Sequence, residues 1–221
     1  MTPSRSNPRR PRRIGLFGGS FDPVHAGHLH AAQAALRAFD LDRVVFVPAR
    51  LPPHKPGRVL ASGEDRLAML RLATAGEPRF LVHGIELARE GPSYTIDTVR
   101  ALPAALGEPE DVRIHLILGS DNLVGLESWR EAAALIERVE PVIVHRSDDP
   151  SEDPSGDLAQ IERKLGRAVA ERIRSGYLRL PPVPVSSTGI RTRLASGSSE
   201  VELAPAVLDY IRKHGLYGMA R

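Results

Sequence analysis

A chain of 221 residues, 42% hydrophobic and 26% charged, is large enough to bury one α/β core and too short for two ordinary domains. It contains no cysteine, which excludes disulfides and thiolate chemistry and is compatible with a reducing cytoplasm, the expected location. The net charge of +3 arises in the first 13 residues, where Arg5, Arg9, Arg10, Arg12 and Arg13 meet no acid, so the rest of the chain is nearly neutral. Residues 1–12 are Pro-rich and unpatterned and are expected to form a disordered basic tail, with nucleic-acid binding through it only a remote alternative. No signal-peptide core or membrane-length apolar run is visible, so no membrane partner is expected.

The short apolar run at residues 14–17 predicts a buried strand that ends on Gly18 and Gly19, a turn whose bare backbone lets a ligand approach its amides. Asp22 and Pro23 predict the start of a helix, Asp as its cap and Pro in its first turn, with Leu29, Ala32, Leu36 and Phe39 continuing one apolar face. On such a helix His25 and His28 face the same way, about 5–6 Å apart. A helix N-terminus carries roughly half a positive charge and unbonded N–H groups. Two imidazoles added there favour a polyphosphate. Zinc is a weaker fit, because His-x-x-His supplies half of a tetrahedral set and no Cys, Asp or Glu stands at a suitable spacing.

Residues 44–48 read as a second strand, followed by a proline loop that carries His54 and Lys55. A helix at 64–75, a strand at 80–85, a helix at 95–106 and a strand at 112–118 come next. Residues 127–139 then predict a helix with Trp129, Ala133 and Ile136 on one side, and 141–145 a further strand. Strands that alternate with helices imply a parallel sheet covered on both faces. The acidic stretch 147–157 separates that sheet from a helical C-terminal part starting near residue 158, where Leu158, Ile161, Leu165, Val169 and Ile173 form one stripe. The last helix should start near Pro205 and stop at Gly215. Residues 13–221 are thus expected to form a single domain.

Two later motifs carry polar chemistry. Gly119, Ser120, Asp121 and Asn122 place a turn and a carboxylate after the fourth strand, and Ser186, Ser187 and Thr188 set hydroxyls at a helix start with Arg191 one turn on, a phosphate-binding arrangement. Taken with Gly-Gly-Ser-Phe-Asp-Pro at 18–23 and His-Ala-Gly-His at 25–28, these segments resemble the nucleotidyltransferase superfamily marked by His-x-Gly-His. Within it the chain is similar to the bacterial nicotinate-nucleotide adenylyltransferases, from about Ile14 to Gly218. Ser93 to Thr98 match that family's Ser-Tyr-Thr-x-Asp-Thr segment, and Pro52 to Lys55 its Pro-Pro-His-Lys loop.

The resemblance implies a Rossmann-like, doubly wound α/β fold of strand order 3-2-1-4-5, in which Gly18 and Gly119 flank one crevice at the switch point. It implies transfer of AMP from ATP to nicotinate mononucleotide, with release of nicotinate adenine dinucleotide and pyrophosphate, in NAD biosynthesis. His25 and His28 are then the catalytic cations, His28 nearest the α-phosphate. Gly18, Gly19, Ser20, Phe21, Asp121, Ser187, Thr188 and Arg191 would bind ATP, with Asp121 on the ribose. His54, Lys55, Tyr94, Thr95, Trp129 and Arg130 would bind the acceptor. Ser120 replaces the family's usual Ala, and Arg130 its usual Tyr. Mg2+ is expected as an ion carried with ATP, since no dedicated carboxylate cage is visible. Monomer and homodimer are both compatible with the chain. The runner-up function is a related adenylyl- or cytidylyltransferase acting on nicotinamide mononucleotide or phosphopantetheine.

Overall fold

A computed structural model of the protein describes residues 10–50, 61–108, 112–146 and 155–219. In chain order its elements are β1 (Arg12–Gly19), α1 (Ala26–Ala38), β2 (Arg43–Pro48), α2 (Gly63–Thr74), β3 (Phe80–Val82), α3 (Thr95–Ala105), β4 (Val112–Gly119), α4 (Ala132–Arg138), β5 (Glu140–Arg146), α5 (Ser155–Leu165), α6 (Arg167–Ser175), β6 (Tyr177–Leu180), α7 (Ser187–Ala195) and α8 (Pro205–His214). The strands pair in parallel in the order β3-β2-β1-β4-β5-β6. The expected Rossmann-like order is therefore present, extended by one strand beyond β5.

Both faces of the sheet are covered, and successive strand residues divide between two cores, as the pleat requires. Ile14, Leu16, Val45, Val47, Leu116, Leu118 and Ile143 enter one core beneath α3, α4, α5 and α6. Val44, Phe46, Ile117, Val142 and Val144 enter the other, beneath α1, α2, α7 and α8. Strands buried on both sides lose the alternation of a half-exposed strand, and this is why they read as continuous apolar runs. Among the described residues no helix is long and apolar enough to cross a membrane.

Several local expectations are corrected by tertiary contacts. The stripe at 158–173 is split between α5 and α6 at Gly166, whose φ of +94° belongs to a region open essentially to glycine. The added strand β6 follows Gly176, where a Cβ would lie 1.8 Å from the Pro141 carbonyl oxygen. Only a bare backbone can come that close, and the Gly176 carbonyl accepts from the Ile143 amide at 2.8 Å. The helix expected over 127–139 shortens to α4, because a single turn at Leu126–Ser128 comes first, Trp129 is extended and Glu131 adopts φ +51°. Ser128 closes that turn by donating its hydroxyl to the Gly125 carbonyl at 2.6 Å. By contrast, α8 has Pro205 in its first turn and Gly215 left-handed after its end, as expected.

Helix α1 begins later than expected. Its cap is His25, and Asp22 serves a different purpose. The Asp22 carboxylate is buried and its Oδ1 accepts from the Ala61 amide at 3.2 Å and from the Tyr217 hydroxyl at 2.7 Å. Beside it the buried Arg66 guanidinium donates to the carbonyls of Ser20 at 2.9 Å, Ala49 at 2.8 Å and Ala61 at 3.3 Å. This polar centre joins the loop after β1 to the start of α2 and to the C-terminal turn. Arg66→Leu should lower stability by about 3–5 kcal/mol in urea unfolding, because a buried carboxylate loses its countercharge and carbonyls lose their donor. A loss below about 1 kcal/mol would mean that water replaces the guanidinium without cost.

Candidate active site

A cleft of about 240 Å³ opens at the C-terminal ends of β1 and β4, where the order of strands reverses. Gly18, Gly19, Ser20 and Phe21 form one wall and Gly119, Asp121 and Asn122 the other, with His28 at the base. Among the described residues, its chain neighbours aside, no atom lies within 4 Å of the position a Gly18 Cβ would take. Packing therefore does not call for glycine at that point. Gly18 lines the cleft, so its bare backbone leaves that wall open.

The two histidines divide their work. His25 caps α1 and is buried behind the cleft, whereas His28 lines it, and their rings lie 3.8 Å apart. The residues have the reciprocal arrangement of a capping box, and its better-formed half is the His25 amide donating to His28 Nδ1 at 3.2 Å. A nitrogen that accepts carries no proton, so the neutral His28 ring holds its proton on Nε2. Burial first, and the Arg146 charge second, lower the His25 pKa from 6.5 to about 4. His25 is thus a neutral support. Gly27 makes the fold-back possible, since a Cβ there would meet His25 ring atoms at 3.1 Å.

Ser187, Thr188 and Arg191 stand beside this cleft without lining it. The Ser187 hydroxyl donates to the Pro23 carbonyl at 3.0 Å, and Arg191 donates to the Asp22 carbonyl at 2.8 Å and to the Thr188 hydroxyl at 3.2 Å. Ser186 caps α7 by accepting from the Gly189 amide at 3.0 Å. The Ser-Ser-Thr segment therefore pins the Gly-Gly-Ser-Phe-Asp-Pro turn by its backbone carbonyls, leaving a guanidinium at the turn's edge.

Tyr94, Thr95, Trp129 and Arg130 gather at the other end of the cleft. Tyr94 caps α3 without a side-chain bond, so the first amides of that helix keep their donors. The Arg130 guanidinium lies 4.8 Å above the Tyr94 ring and 3.9 Å from Asp97. Trp129 is half-buried at the rim, because the extended backbone at that point removes it from the helix in which the sequence places it. His54 and Lys55 lie outside the described residues.

Among the polar residues that line the cleft, sequence reasoning missed four: Glu86, Ser93, Asn122 and Arg146. Ser93 and Asn122 stand inside quoted motifs, and their polar type was the available signal. Arg146 has a weaker one, a cation closing an apolar strand. Glu86 has none, since an acid between a strand and a turn reads as solvated. Here it is buried, its carboxylate accepts from the Thr98 hydroxyl at 2.7 Å, and desolvation raises its pKa.

The shift of His25 predicts a pH dependence of stability. Between pH 6.5 and about 4 the unfolded chain takes up a proton on this ring that the folded chain refuses. Stability therefore rises with pH across that window and falls toward its acid end, by an amount on the order of 3 kcal/mol. Thermal midpoints at pH 4.5, 5.5 and 6.5 should fall more steeply for the native chain than for His25→Gln. Equal slopes would assign the acid loss to another group.

The chain matches the cytidylyltransferase-like family over residues 16–193. The "Probable nicotinate-nucleotide adenylyltransferase" of Synechococcus sp. (strain JA-3-3Ab) is 42% identical over 207 residues, spanning 93% of this chain and 95% of that protein. The protein of the same description from Neisseria meningitidis serogroup C is 39% identical over 209 residues, 93% of this chain and 98% of its own. Among solved structures, Plasmodium falciparum nicotinic acid mononucleotide adenylyltransferase complexed with NaAD superposes with a TM-score of 0.69 at 19% identity, covering 95% of this chain and 98% of that one. That likeness supports the fold. With the cleft at the switch point, the His-x-Gly-His cap and relatives matched over nearly their whole length, the chain belongs to the nicotinate-nucleotide adenylyltransferase family.

Proposed function

We propose that the protein transfers the AMP moiety of ATP to nicotinate mononucleotide, releasing nicotinate adenine dinucleotide and pyrophosphate, as a step of NAD biosynthesis. The observation that carries this reading is the pairing of a side-chain-free Gly18 wall with the His28 imidazole at the N-terminus of the 13-residue α1. Partial positive charge, backbone donors and an Nε2 proton converge on one end of the cleft. The nucleotidyltransferase domain, expected over residues 13–221, is taken to include Arg12 as well, since that residue opens β1 and pairs with Val112, with the residues before it a basic tail without a part in the reaction and the cytoplasm the place of action.

In this reading the acceptor's phosphate oxygen attacks the α-phosphorus in line, a new O–P bond forms, and the bond from the α-phosphorus to the bridging oxygen breaks as pyrophosphate leaves. No covalent enzyme intermediate is needed, so the residues position reactants and neutralise charge. His28 donates from Nε2 to an α-phosphate oxygen, more strongly as negative charge builds there, and Ser20 donates to the same group. Arg191 and Thr188 serve the β and γ phosphates, and Asp121 accepts from ribose hydroxyls. Among the described residues no group of three or more His, Cys, Asp or Glu could hold a metal ion, so Mg2+ is assigned to the triphosphate that carries it in. His28→Ala should lower turnover at least about hundredfold with little change in acceptor affinity, the mark of an interaction made mainly in the transition state. A loss confined to acceptor affinity would contradict that role.

The acceptor end favours an acid over its amide. Amides at the start of α3, the Thr95 hydroxyl and the Arg130 guanidinium are all donors, and a carboxamide NH2 would leave donors unmet, at roughly 1–3 kcal/mol for each buried group. Among the described residues Glu86 is the one lining carboxylate at this end, and its raised pKa weakens repulsion of an anionic acceptor. Nicotinate mononucleotide should exceed nicotinamide mononucleotide in kcat/KM by at least about tenfold, equivalent to roughly 1.4 kcal/mol. Both efficiencies measured at one salt and magnesium concentration test it: equal use would transfer the reading to an adenylyltransferase of a different acceptor.

A further inference from the structure

Ser120 opens a 3-10 turn at Ser120–Asn122, directly after Gly119 at the end of β4. This turn carries Asp121 and Asn122, both on the cleft wall. Its geometry is close. A Cβ on Gly119 would lie 2.3 Å from Asp121 Oδ1, so the carboxylate folds back over the bare glycine, and Asn122 donates to the Gly119 carbonyl at 3.2 Å and to Asp121 Oδ1 at 3.3 Å. On the neighbouring strand His145 is buried, and its Nδ1 shares a hydrogen bond of 3.0 Å with the Ser120 hydroxyl. The pairing of Gly119 with Val144 puts the two residues next to each other at the strand ends.

His145 makes no sense as filler. Its Nε2 is buried without a hydrogen-bond partner among the described residues, and an apolar side chain would fill the same space with no unmet nitrogen. What the imidazole adds is its bond to Ser120. Val144 and Arg146 on either side line the cleft, whereas His145 is not among the lining residues and, among the described residues, its hydrogen bond toward the site is the one to that hydroxyl.

We propose that Ser120 and His145 form a positioning pair that sets the turn bearing Asp121, and through it the carboxylate that receives the ribose hydroxyls of ATP. The proposal rests on the reading of Asp121 as the ribose acceptor. Neither residue touches the nucleotide. Their effect is on how well Asp121 tells a ribose from its deoxy form.

Steady-state kinetics with ATP, 2′-deoxy-ATP and 3′-deoxy-ATP, at saturating nicotinate mononucleotide, test this in the native enzyme, Ser120→Ala, His145→Phe and the double variant. The native enzyme should discriminate against at least one deoxy nucleotide. Each single variant should raise the KM for ATP by about two- to tenfold, the range for one lost hydrogen bond, while leaving the deoxy nucleotide and the acceptor KM unchanged. The double variant should match the singles, because one bond is removed in all three. Discrimination that persists undiminished in Ser120→Ala would overturn the pair, and Ser120→Ala decides this even if His145→Phe does not fold. An equal rise for ATP and both deoxy forms would overturn it as well, by showing general disorder. A native enzyme indifferent to both hydroxyls would instead overturn the reading of Asp121, and the pair's function with it.

Discussion

The rest of the site depends on the buried Asp22 carboxylate. Its Oδ1 holds Ala61 on one side and Tyr217 on the other, with Arg66 beside it bridging the carbonyls of Ser20, Ala49 and Ala61. Two further carbonyls of the turn, those of Asp22 and Pro23, accept from Arg191 and Ser187. A buried charge pair repays its desolvation only when further hydrogen bonds satisfy it, and here they do. The consequence is electrostatic preorganisation. With these acceptors engaged on the protein side, the bare glycine backbone is held in place on the cleft wall, which is what the proposed phosphate site requires.

The same economy explains the His-x-Gly-His segment. A histidine as helix cap is unusual, since Ser, Thr, Asp and Asn are the usual choices. The His25 amide is bonded to His28 Nδ1, which fixes both the ring's orientation and its tautomer. Had Asp22 capped the helix as its sequence position invites, its negative charge would have stood where the proposed reading seats the triphosphate. Moving that carboxylate into the interior removes the repulsion and uses the charge for structure instead.

The two ends of the cleft differ in a way that suits two different anions. One end offers the α1 terminus and His28, with Arg191 beside the cleft. The other offers the α3 terminus and Arg130, tempered by the buried Glu86. Between them Asp121 is held over Gly119, among the described residues the one lining carboxylate at the β4 end. Net charge near zero over the whole domain therefore conceals strong local polarity, and local polarity is what substrate binding senses.

Features set by short stretches of chain were legible in the sequence. The strands β1, β2, β4 and β5 announced themselves as apolar runs, α8 by its Pro205 and Gly215 ends, and the nucleotide end of the cleft by glycines and histidines only a few residues apart. Tertiary structure alone decided the rest. Tyr217 meets Asp22 across 195 residues of chain, and no local pattern marks such a partner. The four-residue β6 is too short to show a period and exists because Gly176 fits against Pro141. Trp129 left its expected helix because a 3-10 turn closed before it, and Glu86 became a site residue only when α3 folded over it. Periodicity and turn chemistry act over a few residues and are written where they act. Burial and the pairing of charges are properties of the assembled core, and they belong to residues that meet only once the sheet has formed.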